Sequence, residues 1–411
     1  MSIDAARLQE DLETLAGFGR TEDDGVSRPS FSPADLEARS WLKGRCAEAG
    51  LAYREDVAGN VFMRLDGPPG PAVWTGSHLD SVPNGGRLDG ALGVMAALEV
   101  LRSLAEQDVE LHRPVEAVSF ADEEGAYLGF LGSKAAVPGL TPGQLKTVEG
   151  RDGRRLVDAM SEAGYDLETI EGARVDPAEV HAYVELHIEQ GAVLQQAGIP
   201  VGVVTHIVGV GRGALTFEGR PDHAGTTPMD LRRDATRGGA ALLAQLPDLP
   251  AAVGAHDAVV TCGRLSVAPG ADNIVPARMV LHLDIRDRDR ASIEAVEQEL
   301  TRRARALAEQ HDLEVVYERS SMTDPTPLDE RIQDISLAVA RQEGLDVRVM
   351  PSGAGHDAQV VAPAIPTGML FVPSIDGRSH SPLEHTPWED IARGTRVLYG
   401  VVRDLATRGL P

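Results

Sequence analysis

Four short stretches of this sequence carry histidines, carboxylates or both at spacings that suit metal binding: 78-HLD-80 with Asp89, 122-DEE-124, 185-ELHIEQG-191 and 378-RSHSPLEHT-386. His78 and Asp80 stand two positions apart at the end of a predicted strand, where alternate residues share a face. A carboxylate behind a histidine fixes the ring tautomer and raises its basicity, as is common at metal sites. We therefore expect His78 to be a ligand and Asp80 to orient its ring.

Carboxylates follow in two further positions. Asp89 ends a glycine-rich loop, just before an apolar-periodic helix predicted over Ala91–Leu104. Glu123 and Glu124 follow a predicted strand, and adjacent side chains there point in different directions. One glutamate can hold a metal ion while the other takes a proton from water. The alternatives are a helix N-cap for Asp89 and an acidic surface turn for the glutamates.

Two more histidines stand where strands are predicted to end. His187 closes a strand predicted over Ala182–Leu186, at the end of the sheet where open α/β folds place their sites. His380 lies in a loop that Pro373 and Pro382 make stiff. The alternatives are a hydrogen-bonded histidine at the edge of the core and a plain surface loop.

Three imidazoles and two carboxylates taken together suit a two-metal site in which one carboxylate bridges the ions and water lies between them. The expected ligands are His78, Asp89, Glu124, His187 and His380. Nitrogen and oxygen donors without thiolates fit Zn²⁺, and also Mn²⁺, Co²⁺ or Ni²⁺. The sequence therefore predicts two divalent metal ions per subunit.

A second set of polar residues occurs further along the chain. Arg286 has a planar fork suited to a carboxylate, Asn273 can offer an amide N–H, and His223 can stabilise an oxyanion. The alternative for Arg286 is an ion pair with Asp284 or with Asp287. The tight turn 353-GAGHD-357 either binds a ligand or simply connects two elements.

The elements that must position these residues alternate between strands and helices, which predicts an α/β layer with a mostly parallel sheet. From Val208 the predicted order becomes βαββαβ, the ferredoxin-like split unit. We therefore expect residues 1–208 and 323–411 to form the catalytic, metal-binding domain and residues 209–322 to be inserted as a smaller one. Two domains also suggest closure around a substrate.

Composition excludes several classes of function. The 411 residues are too many for one ordinary core, and a formal net charge of −24 disfavours nucleic-acid binding. Cys46 and Cys262 form no metal-binding or disulfide pattern and indicate a reducing compartment. The N-terminal stretch lacks the features of a signal peptide, and no segment is apolar enough to span a membrane. We expect a cytoplasmic protein.

Five ordered motifs resemble the M20 metallopeptidase superfamily: GSHLDSVPNGGRLDG, FADEEG, ELHIEQG, GRPDHAGTTPM and GRSHSPLEHT. His187 stands where the peptidase branch usually has a carboxylate, which favours the carbamoylase branch. That branch holds N-carbamoyl-L-amino-acid amidohydrolases, β-ureidopropionases and allantoate amidohydrolases. Leu88 departs from the aromatic residue that relatives often carry and leaves the ligands unchanged.

The resemblance implies a role for each residue. One metal would be held by His78, Asp89 and His187 and the other by Asp89, Glu124 and His380, with Asp89 as the bridge. Glu123 would be the general base and Asp80 would orient His78. Substrate would be bound by Gln190, His223, Asn273, Arg286 and the backbone at Gly355, with Arg286 taking its carboxylate. The inserted domain would act as a lid and form a homodimer, with His223 serving its own or the partner subunit's site.

These expectations converge on a binuclear metal amidohydrolase that cleaves N-carbamoyl-L-amino acids to the amino acid, CO₂ and ammonia. Allantoate amidohydrolase and β-ureidopropionase are close alternatives with the same chemistry. More distant alternatives are an aminoacylase or dipeptidase of the same superfamily and a non-catalytic binding protein on the same fold.

Overall fold

The computed structural model of the chain describes residues 3–411. The chain divides into two compact units. The first unit comprises the residues up to Thr205 together with Pro327–Pro411, and the second unit comprises His206–Thr326. The expected boundaries stood at 208/209 and 322/323. The division falls a few residues outside them.

Within the described residues, the strands are β1 (Ala52–Glu55), β2 (Val61–Leu65), β3 (Ala72–His78), β4 (Val115–Phe120), β5 (Val180–Ile188), β6 (Val201–Ile207), β7 (Gly209–Glu218), β8 (Val259–Ala268), β9 (Arg278–Asp287), β10 (Glu314–Thr323), β11 (Thr326–Pro327), β12 (Val347–Ser352) and β13 (Thr367–Val372). The helices of the same part of the chain are α1 (Ala5–Leu15), α2 (Pro33–Glu48), α3 (Ala91–Glu106), α4 (Leu131–Ala136), α5 (Pro142–Leu145), α6 (Leu156–Glu162), α7 (Val193–Ala197), α8 (Ala235–Leu243), α9 (Leu249–Ala252), α10 (Arg290–Gln310), α11 (Glu330–Gln342), α12 (Asp357–Val361) and α13 (Trp388–Thr407).

The sheet of the first unit has the order β1-β2-β4-β3-β5-β13-β6-β11, with β12 paired to β6. Its four central strands, β4, β3, β5 and β13, run parallel to one another. Strands β3, β4 and β13 are buried along their whole length, which fits strands covered by other elements on both faces. The flanking strands β2 and β6 pair antiparallel to this centre.

Helix α3 lies in the interior of the first unit. Every residue from Ala91 to Leu104 is buried, including Glu99 and Arg102, which form ion pairs with Arg7 and Asp11 of α1. The helix packs on β3 and contacts α1 and α13. The loop before it therefore lies against the ends of the central strands. Helix α2 begins after Ser32, whose hydroxyl accepts a hydrogen bond from the N–H of Asp35, and Pro33 stands at the first helical position.

The segment between β4 and β5 consists of short helices and loops. Helices α4, α5 and α6 enclose a small core of their own around Leu145, Leu156, Met160 and Ile170. This core is separate from the one around α3. It supports the loop that leaves β4, which carries Glu123 and Glu124.

The second unit contains, in order, β7, the helices α8 and α9, β8, β9, α10 and β10. Its four strands form an antiparallel sheet with the order β10-β7-β9-β8. The residues of β9 alternate between buried and partly exposed, because one face of the sheet packs on the helices. Leu281, Leu283 and Ile285 of this strand belong to the unit's own core.

The stretch 187-HIEQGAVLQQAG-198 is helix-like in sequence, but β5 extends to Ile188 and helix α7 covers only Val193–Ala197. The carboxylate of Glu189 explains the late start, because it accepts hydrogen bonds from the N–H groups of Val193 and Leu194 at 2.7 and 2.8 Å. Among residues 3–411, no helix has the length and apolarity needed to cross a bilayer.

Candidate metal centre

The parallel arrangement of the central strands brings their carboxyl ends to one edge of the sheet. His78 is the last residue of β3, and Glu123 and Glu124 follow the end of β4. His187 lies near the end of β5, and the loop after β13 carries His380. These side chains therefore meet at the edge where open α/β sheets place their sites.

Asp89 lies at the centre of this cluster, with each carboxylate oxygen directed at different partners. Oδ1 is 3.2 Å from Nε2 of His187 and 3.8 Å from Nε2 of His78. Oδ2 is 3.3 Å from Nε2 of His380, whose same nitrogen is 3.4 Å from Oε1 of Glu124. The carboxylate is buried, so its charge is little screened by solvent.

Two three-residue groups result, and both contain Asp89. In each group the possible ligand atoms lie within 4.8 Å of one another. The members are His78, Asp89 and His187 in one group and Asp89, Glu124 and His380 in the other. The structure thus brings together all five side chains that the sequence singled out as ligands.

Neighbouring side chains hold Asp89 in place. The amide of Gln190 donates to Oδ2 of Asp89 at 2.9 Å, and the hydroxyl of Ser379 donates to the same oxygen at 2.6 Å. Glu384 accepts hydrogen bonds from the N–H groups of Leu88 and Asp89 at 2.8 and 3.1 Å. Ser379 and Glu384 were not predicted to have roles at the centre, although both stand within a few residues of His380.

The role expected of the Asp80 side chain differs from the contact observed. Nδ1 of His78 lies 3.0 Å from the main-chain oxygen of Asp80, whereas the carboxylate is 3.8 Å away. The carboxylate instead accepts hydrogen bonds from the N–H groups of Glu123 and Glu124 at 3.3 and 3.2 Å. The turn after β3 brings the carbonyl to the ring, and two N–H donors hold the carboxylate elsewhere. Asp80 thus orients His78 through its backbone and the glutamates through its side chain.

The proton affinities of the centre depend on Asp89. Burial lowers the pKa of His78 to about 4. Burial also acts to lower the pKa of His187, but the hydrogen bond and charge of Asp89 outweigh it and raise that pKa to about 9. The hydrogen bond to Asp89 raises the pKa of His380 to about 9 as well. Burial and the charge of Asp89 raise the pKa of Glu124 to about 7.

The residues fit divalent cations. Carboxylates crowded in a buried site repel each other unless a cation or a proton lies between them. Burial raises the pKa of Glu123 well above its ordinary value, and the charges of Asp357 and Glu124 raise it further. The two groups around Asp89 supply nitrogen and oxygen atoms without sulfur, a set suited to Zn²⁺ and to other first-row ions.

His356 was not predicted to lie near the centre. Its ring packs on that of His187 with centroids 4.6 Å apart, and Nε2 lies 2.8 Å from the hydroxyl of Ser352. Glu185, His187 and His356 form a third group of possible ligand atoms within 4.8 Å. The histidine within 353-GAGHD-357 was the signal that could have pointed to this packing. Gly355 directly precedes it, and a Cβ there would meet Phe130 at 2.9 Å.

The remaining predicted residues belong to the second unit. His223 and Asn273 lie in adjacent loops, because the N–H of Ala224 donates to the main-chain oxygen of Asn273 at 2.9 Å, and both side chains are exposed. Arg286 lies on β9, where Nε donates to Oδ1 of Asp284 at 2.6 Å. The ion pair considered as the alternative for Arg286 is therefore present.

The chain is similar to characterised amidohydrolases over its whole length. It is 40% identical over 408 residues to an N-carbamoyl-L-amino acid amidohydrolase of Geobacillus stearothermophilus, which covers 98% of this chain and 99% of the relative. It is 36% identical over 404 residues to the allantoate amidohydrolase of Escherichia coli, with 97% of each chain covered. The carbamoylase-type resemblance read from the motifs is thereby confirmed.

A solved structure and a family match agree with these relatives. The crystal structure of an amidase of the hydantoinase/carbamoylase family from Burkholderia multivorans has a TM-score of 0.90 and 33% identity, with 99% of each chain covered. Residues 74–404 of the present chain match peptidase family M20/M25/M40. The matched range begins in β3 and ends in α13, so it includes all five side chains around Asp89. The chain belongs to the peptidase family M20/M25/M40.

Proposed function

We propose that this protein is a two-metal amidohydrolase that cleaves the carbamoyl C–N bond of N-carbamoyl-L-amino acids. The observation that carries the proposal is the position of Asp89, whose two oxygens face different groups of possible ligands. A carboxylate shared in this way is the bridge that a two-metal site requires. The similarity to N-carbamoyl-L-amino acid amidohydrolases supports this substrate class.

The proposed metal ligands are the five side chains of the two groups around Asp89. Two divalent cations held there would supply Lewis acidity and would lower the pKa of a water molecule beside them. Glu123 is the proposed general base: its Oε2 lies 3.6 Å from Nε2 of His78, beside the first group. The hydrogen bond from its N–H to Asp80 fixes the backbone that carries it.

In the proposed reaction, water attacks the ureido carbonyl carbon and loses a proton to Glu123. The bond between that carbon and the amino-acid nitrogen then breaks, and Glu123 returns the proton to the leaving nitrogen. The carbamic acid that is released decomposes to CO₂ and ammonia. Burial raises the pKa of Glu123 above its ordinary value, and a carboxylate with a raised pKa is a stronger base than an ordinary one.

Gln190, which already bonds Asp89, is proposed to bind the substrate too. Its Nε2 is occupied by Asp89 and Ser379, but its Oε1 is buried and has no hydrogen-bond partner among the described residues. A buried acceptor without a partner is unfavourable, and a ureido N–H would satisfy it. The substrate-binding roles of His223, Asn273, Arg286 and Gly355 stay predictions. To bind a substrate carboxylate, the guanidinium of Arg286 would have to break its ion pair with Asp284.

We further propose that the second unit is a ferredoxin-like domain that acts as a lid and forms a homodimer. The order of its strands and helices and the order of strands in its sheet support a ferredoxin-like fold. Strand β8 supports the homodimer, because it is an edge strand that exposes Val259, Leu265 and Val267. An exposed apolar edge is a template for pairing with another chain.

Allantoate amidohydrolase is the second candidate, favoured by the similarity to the Escherichia coli enzyme of that name. The experiment that separates the candidates is a substrate panel on protein reconstituted with Zn²⁺, Mn²⁺, Co²⁺ or Ni²⁺. The panel contains N-carbamoyl-L-amino acids, N-carbamoyl-β-alanine, allantoate, N-acetyl amino acids and ureidoglycolate, which appears in the name of another relative.

The expected result is turnover of N-carbamoyl-L-amino acids with release of ammonia. Exclusive turnover of allantoate, ureidoglycolate or N-carbamoyl-β-alanine would keep the chemistry and replace the substrate. Turnover of the acetyl compounds alone would indicate an aminoacylase. A metal-loaded protein that hydrolyses none of them would support a binding protein on this fold.

A further inference from the structure

A cavity of about 150 Å³ lies beside Glu124 in the first unit, and the proposed reaction makes no use of it. Its apolar wall is built by residues from three loops: Pro29, Val82, Pro83, Ala126 and Tyr127. Glu124 forms part of the lining, and the exposed residues Arg151 and Asp152 stand at the rim. The cavity therefore combines an apolar wall with one group of the candidate metal centre.

Two of the loops that form the wall also carry residues of the centre. Val82 follows Asp80 by two positions, and Ala126 follows Glu124 by two positions. A substrate whose carbonyl lies at the centre thus has one of its substituents next to this cavity. Oε1 of Glu124 lies 3.4 Å from Nε2 of His380, so the same carboxylate lines the cavity and belongs to the second group of possible ligands.

The cavity is held open by buried hydrogen bonds. The carboxylate of Asp122 accepts from the N–H groups of Ala126 and Tyr127 at 2.8 and 3.0 Å. The hydroxyl of Ser81 accepts from the N–H of Arg28 at 2.9 Å, which fixes the residue before Pro29. A wall fixed in this way keeps its shape without a ligand, so binding requires little rearrangement.

Size and polarity decide between possible occupants. An apolar cavity of about 150 Å³ accommodates a group as large as benzene. The side chains of Pro29, Val82, Pro83 and Ala126 offer no hydrogen-bonding atoms, and the hydroxyl of Ser81 already bonds the backbone of Arg28 and Val26. A second ureido group, as in allantoate, would leave polar atoms without partners against this part of the wall. An aliphatic or aromatic side chain needs no such partners and removes apolar surface from water.

We propose that this cavity binds the side chain of the amino-acid part of the substrate and selects N-carbamoyl derivatives of large apolar amino acids such as leucine, methionine and phenylalanine. The inference rests on the proposed function and deepens it by naming the substrate class. Ala126 and Val82 are the proposed specificity-determining residues, because both line the cavity and each lies two positions from a residue of the centre.

The test compares kcat/KM for N-carbamoyl-L-leucine with that for N-carbamoylglycine in Zn²⁺- or Mn²⁺-loaded protein. Filling the cavity by Ala126→Phe, or from the opposite loop by Val82→Phe, is expected to lower the leucine-to-glycine ratio at least about tenfold, the effect of displacing an apolar side chain from a pocket. Ala47→Phe, on the exposed face of α2, is the matched control and should leave the ratio unchanged.

Two independent loops are substituted so that misfolding of one variant, checked by thermal denaturation, leaves the other informative. If wild type hydrolyses N-carbamoylglycine as fast as the leucine derivative, or if both filled variants keep the wild-type ratio, the cavity is not the side-chain site. That outcome leaves the proposed function intact. A wild type that hydrolyses only allantoate or ureidoglycolate would instead overturn the proposed substrate class, and the side-chain role with it.

Discussion

The hydroxyl of Ser379 donates a 2.6 Å hydrogen bond to Oδ2 of Asp89, joining the loop after β13 to the loop before α3. This oxygen faces His380, so the bond orients the proposed bridge toward the second group. Outer hydrogen bonds of this kind typically change metal affinity about 10- to 100-fold. We expect Ser379→Ala to weaken metal binding by that factor, measured by competition with a chelating dye.

Ser381→Ala is the control for this prediction. Its hydroxyl accepts a hydrogen bond from the N–H of Leu383 within the same loop, so its loss leaves Asp89 unaffected. Equal dissociation constants for the two variants would show that the bond to Asp89 does not position a metal ligand.

Glu123 and its neighbour Glu124 should respond differently to the same substitution. Glu123→Gln is expected to lower kcat by about 10²- to 10⁴-fold, the usual contribution of a general base, and to keep the full metal content. Glu124→Gln is expected to lose metal, because Oε1 of Glu124 belongs to the second group. Metal content by inductively coupled plasma mass spectrometry and kcat would be measured on the same samples. Metal loss in Glu123→Gln would make Glu123 a ligand instead of the base.

The residues that were correctly predicted to converge each lie next to a local sequence pattern that indicates their position. His78 and His187 each stand near the end of a strand whose apolar residues reveal it, and parallel strands bring such ends to one edge. The glycines before α3 indicated that Asp89 ends a loop at the start of that helix. Because these signals lie within a few residues of each ligand, the sequence was sufficient to identify the ligand candidates and the central strands.

The contacts that could not be predicted depend on distant parts of the chain or on backbone geometry. Gln190 and Ser379 meet Asp89 across 101 and 290 positions, and no local pattern specifies such a pair. For Asp80, residue type alone did not show whether the carbonyl or the carboxylate meets His78. His356 packs on His187 only because α12 lies against β5.

Metal binding should release protons. In the metal-free protein the pKa values of His187 and His380 are raised to about 9, because both imidazoles bond to Asp89. At pH 7, below both values, each imidazole holds its second proton, and a metal ligand must be neutral. Titration of chelator-treated protein with Zn²⁺ is therefore expected to release roughly two protons from the imidazoles at pH 7. Part of a further proton should come from Glu124, whose pKa is raised to about 7. Affinity should rise as the pH increases toward 9.

Proton release is measured by isothermal titration calorimetry in buffers of different ionisation enthalpy. His112→Gln, an exposed position in the first unit, is the control and should release the same number. A binding enthalpy that does not vary with the buffer would contradict the charged state inferred for His187 and His380.

Gly90 leaves room for the His78 ring. Its φ of +64° is one that other residues rarely adopt, and a Cβ there would lie 2.3 Å from Nε2 of His78. Gly90→Ala is expected to destabilise the protein by about 2–5 kcal/mol through backbone strain and overpacking, and to reduce bound metal. Chemical denaturation and metal analysis would check this. Gly44→Ala is the matched control in α2, where a Cβ meets nothing within 4 Å, and should be neutral or slightly stabilising.

Dimerisation through the second unit should depend on one edge of its sheet. Leu265 on the edge strand β8 is 50% exposed, and Val316 on the opposite edge strand β10 is 55% exposed. A lysine blocks pairing at a strand edge, because its charge would be buried against the other chain. We expect wild type and Val316→Lys to be dimers and Leu265→Lys to be a monomer in light scattering coupled to gel filtration. A monomeric wild type would refute dimerisation, and a monomeric Val316→Lys beside a dimeric Leu265→Lys would move the interface to β10.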